Sequence, residues 1–148
     1  MSLPPLNQEG DLPVEVHQTT LREALERFGK ASVKRRVLAI RLERIYKIAK
    51  DTQHLHRLIV FGSFITAKNE PNDVDIFMIM DDDFDISHLF GDSRLLFDHT
   101  IAQDRFGASV FWVRQLAALG GEQTAIEDWQ LKRDGNRRGI VEIIQEAL

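Results

Sequence analysis

The chain has 148 residues, of which 43% are hydrophobic and 28% charged, a composition that suits one compact domain with a real core. It contains no cysteine, which excludes disulfides, thiolate catalysis and cysteine-based zinc sites. The formal net charge of −4 argues against a bulk nucleic-acid binder but leaves room for a local basic patch.

No apolar run reaches membrane-spanning length, and Met1–Pro5 lacks the basic-then-apolar pattern of a secretory signal. A soluble, cytoplasmic protein without a membrane partner is therefore expected. No linker composition interrupts the chain, so residues 1–148 are expected to form a single domain.

Residues 1–18 hold Pro4, Pro5 and Pro13 and read as an extended N-terminal arm. Thr20-Leu21-Arg22-Glu23 has the form of a capping box. It predicts a short helix with Leu21, Leu25 and Phe28 on one face and Gly29 as its stop. Ser32 to Asp51 is strongly helical in pattern. Leu38, Leu42, Ile45 and Ala49 form one apolar seam, and Val33, Val37, Ile40 and Ile48 form another, which predicts a helix covered on two sides. The same helix is locally basic through Lys34, Arg35, Arg36, Arg41, Arg44, Lys47 and Lys50, and a solvated surface is the simplest reason for that.

His56–Phe61 reads as a buried strand that stops at Gly62. Ser63 to about Lys68 predicts a turn and short helix, and Glu70-Pro71-Asn72 a loop. Val74–Met80 is a second strand with Asp73 at its start. The run Asp81-Asp82-Asp83-Phe84-Asp85 reads as a solvated loop, and His54, His56, His88 and His99 as surface residues. Asp85–Phe106 is mostly helical, broken near Gly91, with Ser93 as a candidate cap, Gly107 as the stop, and Leu95, Leu96, His99, Ala102 and Phe106 on or near the inner face. Ala108–Val113 is a third strand, Glu122–Trp129 a helix, Asp134-Gly135-Asn136 a turn, and Gly139–Ile144 a strand or terminal helix. This order gives an α+β chain, a small mixed β-sheet with flanking helices.

The chemistry concentrates in Phe61-Gly62-Ser63, nine residues, and Asp73-Val74-Asp75. Side chains alternate along a strand, so Asp73 and Asp75 share a face. Two adjacent carboxylates repel unless a cation lies between them. Mg²⁺ takes oxygen ligands and pairs carboxylates with substrate phosphates. A Gly-Ser turn that ends one strand and opens a helix offers N–H groups and a hydroxyl to phosphate oxygens.

These residues and their spacing resemble the nucleotidyltransferase superfamily, the fold of DNA polymerase β and of small bacterial nucleotidyltransferases, over roughly residues 57–113. The resemblance implies that Gly62 and Ser63 grip a nucleoside triphosphate, that Asp73 and Asp75 hold Mg²⁺, and that a nucleotidyl group passes to a protein or nucleic-acid acceptor. Lys68, between Ser63 and Asp73, is a candidate to neutralise phosphate. The full chain also resembles an uncharacterised prokaryotic family of such domains through Phe61–Asp75 and Lys132–Val141, which implies a place in a toxin–antitoxin or defence pair. Trp129 and the basic Lys132–Arg138 segment are further candidates to approach a substrate or partner.

One departure stands out. Enzymes of the superfamily draw a third carboxylate from the third strand, but Ala108-Ser109-Val110-Phe111-Trp112-Val113 has no acid. Ser109 can occupy that place, and Asp98 or Asp104 can be imagined reaching in from the preceding helix. The same departure favours an alternative, a weak or inactive member of the fold that acts by binding a partner chain.

Overall fold

The computed structural model describes residues 3–145. Five strands form one mixed sheet: β1 (Val16–Thr19), β2 (Leu55–Phe61), β3 (Val74–Met80), β4 (Ala108–Arg114) and β5 (Ile140–Ile143). Their order is β1-β5-β2-β3-β4. β2 runs antiparallel to both β3 and β5, while β1 is parallel to β5 and β4 to β3. Among the described residues five α-helices accompany them: α1 (Leu21–Phe28), α2 (Val33–Asp51), α3 (Asp92–Leu95), α4 (His99–Phe106) and α5 (Glu122–Glu127). The expected α+β architecture of a small mixed sheet with flanking helices is thus observed, with two strands more than the three read securely from the sequence. No described helix is long and apolar enough to cross a membrane.

The capping residues act as their chemistry dictates. Thr20 Oγ1 accepts from the Glu23 amide at 3.2 Å and starts α1, and Ser32 Oγ accepts from the Arg35 amide at 3.1 Å and starts α2. The second half of the capping box is diverted, because the Glu23 carboxylate instead accepts from the Leu3 amide and pins the start of the described chain. α4 is capped by Asp98, not Ser93, and Gly107 ends it in the left-handed conformation. The stretch from Asp85 to Phe106 is less helical than its composition suggests, because α3 has only four residues.

The seam of Leu38, Leu42, Ile45 and Ala49 is fully buried in the main core with Leu58, Val60, Ile76 and Met78 of the sheet. The second seam is not a buried face. Val33 is 68%, Val37 37% and Ile40 66% exposed, and only Ile48 packs against the core. Periodicity marks both stripes, but one sheet covers only one side of a helix.

The proline-rich arm packs against the rest of the chain. Leu3 and Leu12 are buried, and its last residues become β1. Two backbone bonds clasp it from either side: Ala67 N donates to Gly10 O and Gly139 N to Leu12 O, both at 2.9 Å. The arm therefore lies between the loop after β2 and the segment entering β5.

Arg35, 5% exposed, fixes that loop from behind. Its Nη1 donates to Phe28 O (3.0 Å) and Phe64 O (2.6 Å), and its Nη2 to Thr66 O (2.7 Å) and Lys68 O (2.6 Å). Burial lowers the guanidinium pKa from its ordinary value, and the nearby Glu70 opposes that. Arg35→Met should leave several carbonyls without donors and cost about 2–4 kcal/mol, read as a lower urea midpoint with an unchanged m-value.

Candidate functional site

Residue alternation decides what each sheet face carries. Ile76 and Met78 of β3 point to the helix side, whereas Asp75, Phe77 and Ile79 point to the other. The register places Phe61 opposite Asp75 and Asp75 opposite Ser109. An open cleft of ≈ 800 Å³ lies at this end of the sheet. Gly62, Ser63, Lys68, Asp73 and Asp75, the five residues expected to form a site, all line it.

Gly62 has φ +79°, a conformation open mainly to glycine, and a Cβ there would overlap Asp75 Oδ2. The strand thus ends in bare backbone directly against a carboxylate. Ser63 begins only a three-residue 3₁₀ turn, Ser63–Ile65, within the stretch to about Lys68 expected to form a turn and short helix. A helix-terminus dipole is not available from so short a turn, and anion attraction here must come from side chains.

Ser109 Oγ donates to Asp73 Oδ2 at 3.1 Å, so β4 supplies a hydroxyl, and no acid, at this place. Burial, reinforced by the Asp73 charge, pushes the Asp75 carboxyl up to about 6; the Ser109 hydroxyl, whose one proton is shared with Asp73, and Arg138 and Arg133 oppose this. Asp75 therefore gives up its proton around pH 6, and a cation binding between the two aspartates would relieve their repulsion.

Asp98 and Asp104 do not reach in. Asp98 is engaged in capping α4, where its Oδ1 accepts from the Ile101 amide at 3.0 Å, and neither lines the cleft. Asp134, within the Lys132–Arg138 segment expected to form a turn that approaches a substrate or partner, is a further carboxylate of the cleft. The turn assignment holds: its Oδ1 accepts from the Asn136 amide at 2.9 Å, and this bond lowers its pKa. Among the described residues, no three His, Asp or Glu side chains gather closely enough to hold a metal ion. The donors fit Mg²⁺ only as a pair of carboxylates with a hydroxyl beside them, so most of an octahedral shell must come from water and ligand phosphates.

The other wall is basic and aromatic. Lys132, Arg133 and Arg138 line the cleft with Lys68. Trp129 packs on Phe61, Phe111 and Phe77, with ring centroids 4.4, 5.0 and 5.3 Å apart. Phe61, Phe111 and Trp129 are partly exposed and form the cleft's apolar side. Such a surface can receive a planar base.

The remaining polar candidates serve the scaffold. His54 Nδ1 lies 2.7 Å from Asp81, His56 Nε2 3.0 Å from Glu122, and Asp82 Oδ1 accepts from the Leu116 amide at 2.9 Å.

No curated protein and no solved structure matches the chain significantly. Residues 4–144 match the model of a family of unknown function, DUF6932, and the chain belongs to that family.

Proposed function

We propose that this protein binds a nucleoside triphosphate with Mg²⁺ in the cleft and transfers the nucleotidyl group to a hydroxyl of a protein or nucleic acid. The observation that carries this reading is the juxtaposition of Asp73 and Asp75 with the bare backbone of Gly62 and with Ser63, in one cleft whose other wall is basic. Asp73 and Asp75 would hold the metal, which supplies charge neutralisation at the phosphates. Ser63 and Lys68 would contact phosphate oxygens, and Trp129 with Phe111 would face the base. In the reaction the acceptor oxygen bonds to the α-phosphorus, the bond from the α-phosphorus to the bridging oxygen breaks, pyrophosphate leaves, and the acceptor proton passes to water.

Ser109 in the third position favours a second reading, a slow or inactive member of the fold that acts through a partner chain. A placed general base contributes about a hundredfold to ten-thousandfold in rate, and serine is a poor one. A cytoplasmic toxin–antitoxin or defence pair, in which a partner supplies the acid or the acceptor, reconciles the two readings.

The test is transfer of label from radiolabelled ATP, GTP, CTP and UTP to cell extract. Labelling by the wild type that disappears with Asp73→Asn supports transfer. Mg²⁺-dependent nucleotide binding without labelling supports the partner-binding reading.

A further inference from the structure

Beside the cleft lies a second open cavity of ≈ 570 Å³ that shares Ser63, Lys68, Lys132 and Arg138 with it. Its back wall is the N-terminal arm, through Gly10 and Asp11. Asp11 is 5% exposed and lies between the two basic residues of the turn. Its Oδ2 accepts from Lys132 Nζ at 3.1 Å, and its Oδ1 is 3.7 Å from Arg138 Nη1. Asp11 is itself fixed, since its amide donates to Asn7 Oδ1 at 3.0 Å and its carbonyl accepts from the Asn7 amide at 2.7 Å.

One buried carboxylate against two cations leaves that group net positive, and exposed Lys68 on the loop after β2 adds to it. Glu9, also on the cavity wall, is exposed and works in the opposite direction. A buried carboxylate aimed at two cations costs desolvation that a solvated surface pair would not incur. What the arrangement provides is orientation, because it holds two long, flexible side chains toward one cavity.

We propose that this cavity is a polyphosphate subsite, taking the β- and γ-phosphates of the nucleotide, in which Lys132 and Arg138 bind the anion and Asp11 is the positioning residue that orients them. The subsite rests on the nucleotide reading for its natural ligand, but not for its anion chemistry. It gives the arm a role at the site: the same segment that bonds to Ala67 and Gly139 also carries Asp11.

The test is calorimetry on the full chain with inorganic tripolyphosphate in EDTA, and then with Mg–ATP. Tripolyphosphate should bind the wild type and also Asp73→Asn, which removes a nearby negative charge. Arg138→Ala and Lys132→Ala should each weaken it about tenfold or more. Asp11→Asn separates the possible roles. Removing an acid should tighten anion binding if Asp11 acts only by its charge, and should leave the affinity of the folded fraction unchanged if it acts only in folding. Positioning predicts weakening by about fivefold to tenfold with partial recovery in Asp11→Glu. Should Asp11→Asn fail to fold, Arg138→Ala and Lys132→Ala decide the matter alone. Undiminished tripolyphosphate binding in both, or no binding by the wild type, overturns the subsite. Mg–ATP binding that ignores Asp73 while tripolyphosphate still needs Arg138 would overturn the nucleotide reading and leave the subsite standing.

Discussion

Gly62→Val should yield little or no folded protein, and Gly62→Ala a protein destabilised by about 3 kcal/mol or more with no nucleotide binding. Two independent costs add at this position. The backbone sits at φ +79°, where an L side chain is strained by about 1–2 kcal/mol, more for a β-branched one. The added Cβ also overlaps Asp75 Oδ2, and Asp75 cannot retreat easily because β3 is hydrogen-bonded on both sides, to β2 and to β4. Circular dichroism melts of the two variants, with Gly91→Ala as a positive-φ control in open space, separate the costs. A Gly62→Ala melt within about 1 kcal/mol of the Gly91→Ala melt would mean that the close approach to Asp75 does not matter.

Asp75→Asn is expected to stabilise the metal-free protein while destroying its proposed function. The Asp75 carboxyl is raised from 3.8 to about 6, so the folded state holds this proton more tightly than the unfolded chain does. Its contribution is therefore unfavourable above about pH 6, and stability is regained as pH falls from about 6 toward 4. The rise corresponds to at most about 3 kcal/mol, reduced by solvent screening at a partly exposed group to about 1–2 kcal/mol. Asp75→Asn removes the charge at nearly constant shape, so its Tm at pH 7.5 should exceed that of the wild type by a few degrees, with the gap closing by about pH 4. Metal-dependent ligand binding should move the other way. A protonated Asp75 cannot hold a cation, so wild-type affinity for Mg²⁺–nucleotide should fall about tenfold between pH 7.5 and 5. A lower Tm for Asp75→Asn at pH 7.5 would show that the carboxylate is structural and not held at a cost.

Which parts of this site the sequence reveals follows from how local their causes are. Asp73 and Asp75 share a face because strand alternation is a two-residue rule, and Phe61-Gly62 marks a strand end through backbone chemistry confined to one residue. Thr20, Ser32 and Gly107 are legible for the same reason. Trp129 is different: it meets Phe61, Phe77 and Phe111 only because the chain returns across the sheet after β4, and nothing near Trp129 encodes that return. The pairing of the arm is not legible, because β1 has four residues and pairs with β5, whose residue Ile140 lies opposite Val16, more than a hundred positions away. Val33, Val37 and Ile40 show the reverse failure, since a periodic apolar stripe says nothing about whether a second layer exists to cover it. Asp98, one of two acids that could reach in from the helix before β4, is instead used as a cap, the first use of a carboxylate one residue before a helix.

The proposed function requires the Asp73–Asp75 pair to make this cleft a Mg²⁺–nucleotide site. Titration of a non-hydrolysable ATP analogue into the protein, with and without Mg²⁺, for the wild type and for the Asp73→Asn/Asp75→Asn double variant, tests it directly. Mg²⁺-enhanced binding to the wild type is expected, weakened about a hundredfold in a double variant that melts no lower at pH 7.5. Equal affinity for the two proteins, or wild-type binding indifferent to Mg²⁺, would contradict it.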